Sequence, residues 1–339
     1  MQERYPRLEI NLEHLKHNVI RIVERCGSRG IQVAGVIKGA TGLVEVAKKF
    51  DEGGAAFLAS SRLEQLEDAK NAGIAKPMML IRVPMISEAE EVIRLTDISL
   101  NSELAVIEEL NRQARRQEKL HKVILMADLG DLREGYWDKE EMADVAEYIE
   151  NKLLHIQLAG IGTNLGCYGS ILPTPEKLRE LVDIAEEIEK RLGRKLEYIS
   201  GGATSSLLRV WDGDMPERIN LLRVGEGILL ARDMDVFYKY DVSDLYRDNF
   251  RLKAEVIEVK DKPSHPVGTI GIDAFGHTPE YEDRGIRRRA LLAMGRVDYG
   301  DPAELLPIDV YKRQVMDSMR RKAAADFAVR HPVIRAQTA

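Results

Sequence analysis

Eight short apolar runs alternate with amphipathic helical patterns between residues 31 and about 230, and few folds accept that order. Eight strand–helix alternations in about this length are what a closed (β/α)8 barrel requires. A doubly wound open sheet is the α/β alternative, because the pattern alone does not reveal closure. The sequence favours the barrel, with these candidate strands: Gln32–Ile37, Ala55–Ala59, Pro77–Ile81, Asp97–Leu100, Lys122–Asp128, Leu158–Thr163, Leu196–Ser200 and Leu221–Leu229.

The clearest helix of this pattern runs from Thr174 to Leu192. Thr174 can cap it, Pro175 suits its first turn, and Gly193 suits its C-terminal stop. An earlier helical pattern, roughly Leu12 to Cys26, precedes the first strand of the barrel. The apolar residues that share one face of the longer helix are Leu178, Leu181, Val182, Ala185, Ile188 and Leu192.

The sequence changes character after about residue 240. The runs Phe250–Lys260, Val267–Ile272, Ala290–Val297 and Glu304–Val310 resemble short strands separated by Gly, Pro and charged turns, which predicts a small, mostly antiparallel β domain. The last 30 residues are basic, with seven Lys/Arg against two Asp. We therefore expect a barrel with an N-terminal strand and helix over 1–238, a β domain over 239–309, and a tail over 310–339. The tail is interpreted as frayed or non-native.

Charge and cysteine content exclude several classes of function. The net charge of -6 is spread along the chain and gives no basic footprint for nucleic acid. No apolar run is long enough to span a bilayer, and no N-terminal stretch resembles a signal peptide. The two cysteines, Cys26 and Cys167, cannot build a disulfide framework, and no Cys/His spacing resembles a metal site. We expect a cytoplasmic protein that binds no metal, nucleic acid or membrane.

Polar residues at the carboxyl ends of the strands are the candidates for chemistry, because barrel enzymes work at that rim. The first strand ends in VIKG, where Lys38 is either a snorkelling surface lysine or a functional amine. The fifth ends in MADLGDLREG, which brings Asp128, Asp131 and Arg133 to the rim unless they form a solvated loop. The sixth ends in GIGTNLGCYG, with Asn164 among glycines.

The last two strands end in motifs that suit an anionic ligand. ISGGATSS is a run of small residues and hydroxyls entering a helix, which can offer backbone N–H groups to a phosphate, although glycine-rich turns are common. LLRVGEGILL places Arg223 inside an apolar strand, where a buried guanidinium needs a partner. One arrangement explains these features together with Lys38. It is a phosphorylated, carbonyl-bearing cofactor across the barrel mouth, joined to the lysine as a Schiff base.

The order of these motifs resembles the fold-type III enzymes that use pyridoxal 5'-phosphate (PLP), the alanine racemase superfamily, and within it the ornithine and lysine racemase branch. RLEINLEHLKHN is similar to that family's opening strand and helix, with Asn18 in the matching place. VIKG resembles the motif whose lysine holds the cofactor, which implies that role for Lys38. The resemblance covers about residues 5 to 309. It implies a PLP-dependent racemase that interconverts L- and D-amino acids.

The same resemblance assigns four further residues of the barrel. DLGDLREG resembles the loop whose arginine contacts the cofactor's phenolic oxygen or the substrate carboxylate, here Arg133. Asn164 stands where the alanine enzymes have a histidine above the cofactor ring. SGGATSS occupies the place of their phosphate motif, which implies Thr204 and Ser205 as phosphate ligands.

RVGEGILL matches the family segment whose arginine hydrogen-bonds the pyridine nitrogen and whose glycine amide holds phosphate. The match implies these roles for Arg223 and Gly225, with Glu226 beside them in the cofactor site. An arginine keeps its proton under ordinary conditions, so Arg223 would leave the ring nitrogen unprotonated. The resemblance therefore implies that the enzyme favours removal and return of the substrate's α-proton over transamination.

Two departures from the alanine enzymes concern the catalytic bases. Those enzymes carry a tyrosine as the second base in a Gly-Tyr motif of the β domain, where TIGIDAFG here places Ile272. The lysine that is carbamylated in many of them corresponds to Met126. Asp273 and Tyr299 are therefore the candidates for the second base. Their structural alternatives are capping of a turn for Asp273 and packing for Tyr299.

Substrate and partners follow from the resemblance. A basic side chain would need a carboxylate partner, with Asp273, Asp298 and Glu226 as candidates. The resemblance favours free ornithine or lysine as substrate, and a broad-specificity or alanine racemase remains open. A non-catalytic PLP carrier would lack the second domain, and a decarboxylase of this fold would carry glutamate in place of Arg223. The family arrangement also implies a homodimer in which one chain's β domain covers the other's barrel mouth.

Overall fold

The computed structural model describes residues 4–300 and the backbone of residues 335–336. The strands are β1 (Arg7–Ile10), β2 (Gln32–Val36), β3 (Phe57–Ser60), β4 (Met78–Leu80), β5 (Ile98–Asn101), β6 (His121–Met126), β7 (Ile156–Gly162), β8 (Tyr198–Ser200), β9 (Leu221–Val224), β10 (Phe250–Lys253), β11 (Val256–Pro263), β12 (Ile286–Leu292) and β13 (Arg335–Ala336). The α-helices are α1 (Leu12–Gly27), α2 (Val44–Glu52), α3 (Leu63–Asn71), α4 (Ala89–Leu95), α5 (Leu104–Arg116), α6 (Lys139–Lys152), α7 (Pro175–Leu192), α8 (Leu207–Asp212), α9 (Glu226–Leu229), α10 (Asp233–Val236) and α11 (Arg296–Tyr299).

The strands β2 to β9 form a closed parallel barrel in chain order, which confirms the (β/α)8 prediction. The barrel closes where β9 pairs with β2, with Gln32 opposite Leu221 and Gly35 opposite Val224. Strands covered on both faces carry nearly continuous apolar runs, and that is the pattern that marked them in the sequence. The residues of the main core cluster are Ala34, Val36, Phe57, Ala59, Met79, Ile98, Leu100, Ile124, Met126, Ala159, Tyr198 and Leu221.

The long helix α7 begins and ends where the sequence predicts. The Thr174 hydroxyl accepts a hydrogen bond from the Lys177 amide at 3.2 Å and so satisfies one free donor of the first turn. Gly193 ends the helix in the left-handed region with φ at 69°, a conformation that glycine adopts without strain. Helix α1 likewise matches its predicted span.

Four predicted strands differ in the structure. Phe250–Lys260 is divided into β10 and β11, which belong to different sheets and are separated by Ala254 and Glu255. The run Leu221–Leu229 is strand only to Val224, and Glu226–Leu229 is helical. An apolar run cannot by itself separate a strand from a buried helical turn. Val267–Ile272 forms no strand, and its end residues lie in solvent, with Val267 91% exposed. In place of one strand over Ala290–Val297, β12 ends at Leu292 and α11 follows. Glu304–Val310 and the tail over 310–339 lie outside the described residues, apart from the two backbone positions of β13.

The chain divides into two units by its contacts. One is Leu12–Asn249, and the other contains the described residues up to Asn11 and from Phe250 onward. The second unit holds β11 paired antiparallel with β12, and β10 paired antiparallel with β1 and β13. A barrel followed by an antiparallel β domain is therefore confirmed. The predicted ranges placed the N-terminal strand with the barrel over 1–238, whereas β1 pairs with β10 of the second unit. The contacts also divide the chain between Asn249 and Phe250 and not between 238 and 239.

A membrane-crossing helix is absent from the described part of the chain, since none there is both long and apolar enough. Both cysteines are free thiols, Cys26 buried and Cys167 exposed.

Glu189, near the end of α7, should make the barrel sensitive to acid. Its carboxylate contacts Arg218 at 2.5 Å and Lys195 at 2.7 Å, and accepts the Leu196 amide. Burial alone would raise its pKa, but these partners lower the pKa from 4.5 to about 2. This stabilisation is present above pH 4.5 and is lost as the pH falls toward 2. We expect Glu189→Gln to lower the free energy of unfolding at pH 7 by about 3 kcal/mol.

Urea unfolding of Glu189→Gln and the parent at pH 7 and at pH 3 measures this effect. The difference between the two proteins should shrink at the lower pH. An equal difference at both pH values would contradict the assignment.

Candidate active site

A cavity of about 250 Å³ opens at the carboxyl ends of the barrel strands. All of its lining residues belong to the unit Leu12–Asn249. The structure brings together eight of the barrel residues that the sequence singled out, but not Asp128 or Asp131. The eight are Lys38, Arg133, Asn164, Thr204, Ser205, Arg223, Gly225 and Glu226. The cavity also includes residues that the sequence did not suggest, among them Ile81, Asp233, Met234 and Tyr238.

Lys38 follows β2 and begins a single 3-10 turn, Lys38–Ala40. Its side chain is exposed at the cavity wall. The ammonium group makes no hydrogen bond or ion pair within residues 4–300. The barrel therefore presents a primary amine that no neighbouring carboxylate occupies.

Arg223 is a buried cation in β9, 4% exposed. Its guanidinium donates hydrogen bonds to the Ser200 hydroxyl and, at 2.8 Å, to the Thr163 carbonyl. Burial, and secondarily the charge of Arg133, lower the pKa of Arg223 to about 10, so it remains charged at neutral pH. It forms no ion pair with a carboxylate in the part of the chain described. A buried charge without a counter-charge is costly, and an acceptor in the cavity would offset that cost.

The hydroxyl groups of Thr204 and Ser205 both make hydrogen bonds within the protein. The Thr204 hydroxyl accepts the Gly227 amide at 3.1 Å, and the Ser205 hydroxyl donates to the Leu165 carbonyl at 2.8 Å. The backbone N–H groups of Thr204, Ser205 and Gly225 lie at the starts of short helices and donate to no backbone carbonyl of the described residues. A Cβ on Gly227 would lie 2.9 Å from Leu207 Cδ1, so glycine lets the two turns approach. Two chain turns that line the cavity thus leave backbone amides without a protein acceptor, and an anion site requires such amides.

Two buried polar atoms of residues that line the cavity have no hydrogen-bond partner in the described part of the chain. Asn164 is 7% exposed, and its Nδ2 is unsatisfied. Glu226 accepts the amides of Arg232 at 2.8 Å and Asp233 at 3.1 Å through one carboxylate oxygen, while Oε2 is unsatisfied. Burial, followed by the charge of Asp233, raises the pKa of Glu226 to about 7. Both residues line the cavity, and a ligand bound there would offer partners to their unsatisfied atoms.

Arg133 reaches the cavity from the loop after β6. Its guanidinium pairs with the neighbouring Glu134 carboxylate, which raises the pKa of the arginine. Gly135 has φ at 136°, and a Cβ there would lie 2.4 Å from the Asp128 amide nitrogen. Glycine at that position allows the loop to fold back tightly and to present Arg133 at the rim.

Asp131 has a role that the sequence did not reveal. It is 1% exposed, and its carboxylate accepts the amides of Gly166 (3.1 Å), Tyr168 (2.9 Å) and Ile171 (3.2 Å). Although burial raises its pKa, these amides lower the pKa overall. Asp131 therefore fixes the loop after β7 against the loop that carries Arg133. In the sequence, Asp131 is only the second aspartate of a loop that could equally be solvated, so its structural role could not be predicted.

The two candidates for the second base lie in the other unit. The Asp273 carboxylate accepts the amides of Phe275 at 2.8 Å and His277 at 2.9 Å. These amides lower the pKa of Asp273. Tyr299 ends the short helix α11 and is half-buried. Neither residue lines the cavity described above. The turn-capping alternative for Asp273 is thus present in the structure, and the base role of both residues stays a prediction.

The family model "Alanine racemase, N-terminal domain" matches residues 10–233, which include all of the barrel strands. This chain belongs to the alanine racemase family. The alanine racemase family is one of PLP-dependent enzymes, and this member carries the amine, the buried arginine and the free amides in one cavity.

Characterised members of the alanine racemase family resemble this chain over most of its length. It is 42% identical to an ornithine racemase of Acetoanaerobium sticklandii, with 90% of this chain and 85% of that protein covered. It is 40% identical to a lysine racemase of Thermotoga maritima, covering 90% and 84%. An alanine racemase of Clostridium difficile 630 shares the fold, with a TM-score of 0.68 at 19% identity over 90% of this chain and 77% of that one.

Proposed function

We propose that this alanine racemase family member uses PLP held on Lys38 to racemise basic α-amino acids, with ornithine or lysine as substrate. The observation that carries the proposal is the joint placement of an unpaired amine, a buried unpaired cation and free backbone amides around one cavity. An amine binds a carbonyl carbon covalently, and amides at chain turns bind phosphate. A phosphorylated aldehyde is the ligand class that uses both.

The residues present fit PLP. Lys38 would hold its carbonyl carbon, and the amides of Thr204, Ser205 and Gly225 would hold its phosphate. Arg223 would offer its guanidinium to the ring nitrogen, and the unsatisfied Nδ2 of Asn164 would gain an acceptor on the cofactor. The fit rests on buried polar atoms that the protein itself leaves unsatisfied.

PLP supplies an electron-withdrawing conjugated ring, which acidifies the α-hydrogen of an amino acid bound to it. The protein's own residues then determine the outcome. Lys38 accepts a proton at the α-carbon on one face and returns one there. Arg223 keeps its own proton, so it orients the ring nitrogen without protonating it. Arg133 binds the substrate carboxylate or the cofactor's phenolic oxygen, and a β-domain residue serves the opposite face.

A basic substrate is supported by the relatives and by the acidic groups at the cavity. Two proteins at least 40% identical are named for ornithine and lysine. Glu226 and Asp233 line the cavity, and Glu226 Oε2 has no hydrogen-bond donor among the described residues, so it lacks a partner that an ammonium group would supply. Pairing with a carboxylate offsets the cost of burying that ammonium.

Chiral chromatography of each L-amino acid incubated with the PLP-loaded protein tests the function. We expect D-ornithine or D-lysine to accumulate faster than D-alanine. Faster turnover of alanine would favour the alanine or broad-specificity alternative. Cofactor binding without turnover of any amino acid would favour the non-catalytic PLP carrier. A protein that binds no PLP would overturn the proposal.

Glu226→Gln should weaken binding of basic substrates selectively. Glutamine keeps an oxygen for the Arg232 and Asp233 amides and removes the charge. We expect the KM for ornithine to rise roughly tenfold, and kcat to change less, because one charge-assisted hydrogen bond is lost. Since only the ionised carboxylate pairs with an ammonium, the parent's KM for ornithine should fall as the pH rises through about 7.

Steady-state kinetics from pH 6 to pH 8.5 on the parent and on Glu226→Gln measure this. The KM of the variant for ornithine should not change as the pH rises through about 7. Alanine, which has no side-chain ammonium group, is the matched control substrate. An unchanged KM profile for ornithine would remove Glu226 from substrate recognition.

We also infer a cytoplasmic homodimer, in which the β domain of one chain completes the barrel site of its partner. Free thiols at Cys26 and Cys167 support the reducing compartment. The separate unit that carries Asp273 and Tyr299 supports a shared site, because a barrel rim alone leaves the cofactor in contact with water.

Hybrid dimers test the shared site. Mixing a Lys38→Ala chain with a chain disabled in the β domain should restore up to about a quarter of the parental activity. The reason is statistical, since half of the randomly assorted dimers are hybrids and each hybrid holds one intact site. An active protein that sediments strictly as a monomer would contradict this arrangement.

A further inference from the structure

A second concave site lies away from the cavity that holds Lys38. It is a groove of about 370 Å³ where the start of α5 faces α6, and it shares no lining residue with that cavity. The residues that define this α5–α6 groove are Glu103, Leu104, Tyr136, Glu141, Val145 and Tyr148.

The α5–α6 groove carries unbalanced negative charge. Glu103 and Glu141 have no cationic partner within residues 4–300, although Glu103 accepts the Ala105 amide at 3.4 Å. Asp144, also at the groove, is paired with Arg191 at 3.2 Å. Two carboxylates on this surface are therefore available to a cationic ligand.

Tyr136 supplies the observation that separates this groove from an ordinary acidic surface. It is only 6% exposed, and its buried hydroxyl has no hydrogen-bond partner among residues 4–300. Burial, together with the charges of Glu103 and Glu141, raises the pKa of Tyr136 well above its ordinary value, so the phenol keeps its proton. The hydroxyl oxygen is left with free lone pairs beside two carboxylates. The complementary partner is an N–H donor that carries positive charge.

A single inorganic cation does not match this arrangement. No three His, Cys, Asp or Glu side chains of the described chain converge closely enough to hold a metal ion. The walls of the groove are also partly apolar, with Leu104, Val145 and the ring of Tyr148, whose hydroxyl donates to Glu108 at 2.9 Å. Dispersed carboxylates with apolar walls suit ammonium groups joined by methylenes. A free amino acid would bring a carboxylate that the groove repels.

We propose that the α5–α6 groove binds an aliphatic diamine. One ammonium group donates to the Tyr136 hydroxyl and to a neighbouring carboxylate, and the methylene chain packs on Leu104 and Val145. The second ammonium group pairs with the remaining carboxylate. This site is independent of the reaction at Lys38.

Isothermal titration calorimetry of the PLP-loaded protein with 1,4-diaminobutane at low ionic strength tests the proposal. We expect saturable binding with one site per chain. The double variant Glu103→Gln/Glu141→Gln should weaken it about tenfold, because two exposed ion pairs are lost. Tyr136→Phe, which removes one hydrogen bond and preserves the ring, should weaken it about fivefold. 1-Aminobutane, with one ammonium group, should bind about tenfold more weakly than the diamine.

Glu147→Gln is the matched control, since it removes the same charge from α6 at a residue that does not line the groove. It should leave the affinity unchanged, and thermal unfolding should show that every variant is folded. Three results would overturn the proposal. They are no saturable binding to the parent, affinity unchanged in the groove variants, and equal competition by K⁺ or Mg²⁺ at matched ionic strength.

Discussion

Replacement of Lys38 by alanine should reduce racemisation by at least about 10³-fold, because it removes both the amine that holds PLP and the base for one face of the α-carbon. PLP should still bind through the amides of Thr204, Ser205 and Gly225. The covalent link should be lost, so the visible absorbance band that borohydride removes in the parent should be missing from the variant.

Lys48→Ala is the control for this prediction, because Lys48 is exposed on α2 and lines no part of the cavity. It should keep the activity and the borohydride-sensitive band. If Lys38→Ala shows an unchanged band, another amine holds the cofactor, and the assignment of VIKG is wrong.

Asp273→Asn should abolish racemisation and still permit exchange of the α-hydrogen of one enantiomer in heavy water. The reason is that Lys38 reaches one face of the α-carbon, while a return from the other face needs a second base. Asparagine keeps an oxygen for the amides of Phe275 and His277, so the turn should be preserved. These amides hold the pKa of Asp273 down in the single chain. To act as a base, Asp273 would need a raised pKa, which desolvation in the dimer would provide.

Tyr299→Phe is the companion variant, and mass spectrometry of α-deuterium in each enantiomer is the measurement. One-sided exchange in Tyr299→Phe, with normal racemisation in Asp273→Asn, would assign the second base to Tyr299. Normal racemisation in both variants would remove both residues from catalysis.

The sequence carried enough information to predict the barrel and its rim. Lys38 and Arg223 were recognisable because each is a charged residue attached to an otherwise apolar strand, and such a residue requires an explanation. The sequence did not show whether the sheet closes into a barrel. Closure depends on pairing between β2 and β9, which lie nearly 200 residues apart in the chain.

Other features depended on contacts that no local pattern encodes. A carboxylate in a glycine-rich loop looks the same whether it is solvated or, like Asp131, bonded to amides 35 to 40 residues away. The segment Leu221–Leu229 carries apolar residues at both ends, and nothing in its pattern shows that the chain turns from a strand into a helix at Glu226. Val267–Ile272 has the composition of a strand but contains two glycines and pairs with no described segment.

Incubation of the PLP-loaded protein with pure L-ornithine and, separately, with pure D-ornithine in heavy water tests the central claim most directly. Chiral chromatography with mass detection gives both the enantiomer ratio and the α-deuterium content. We predict that both reactions converge on equal amounts of the two enantiomers, because enantiomers have equal free energies, and that every inverted molecule carries deuterium at the α-carbon. Recovery of unchanged enantiomers without deuterium, or formation of a diamine or keto acid instead, would contradict the account.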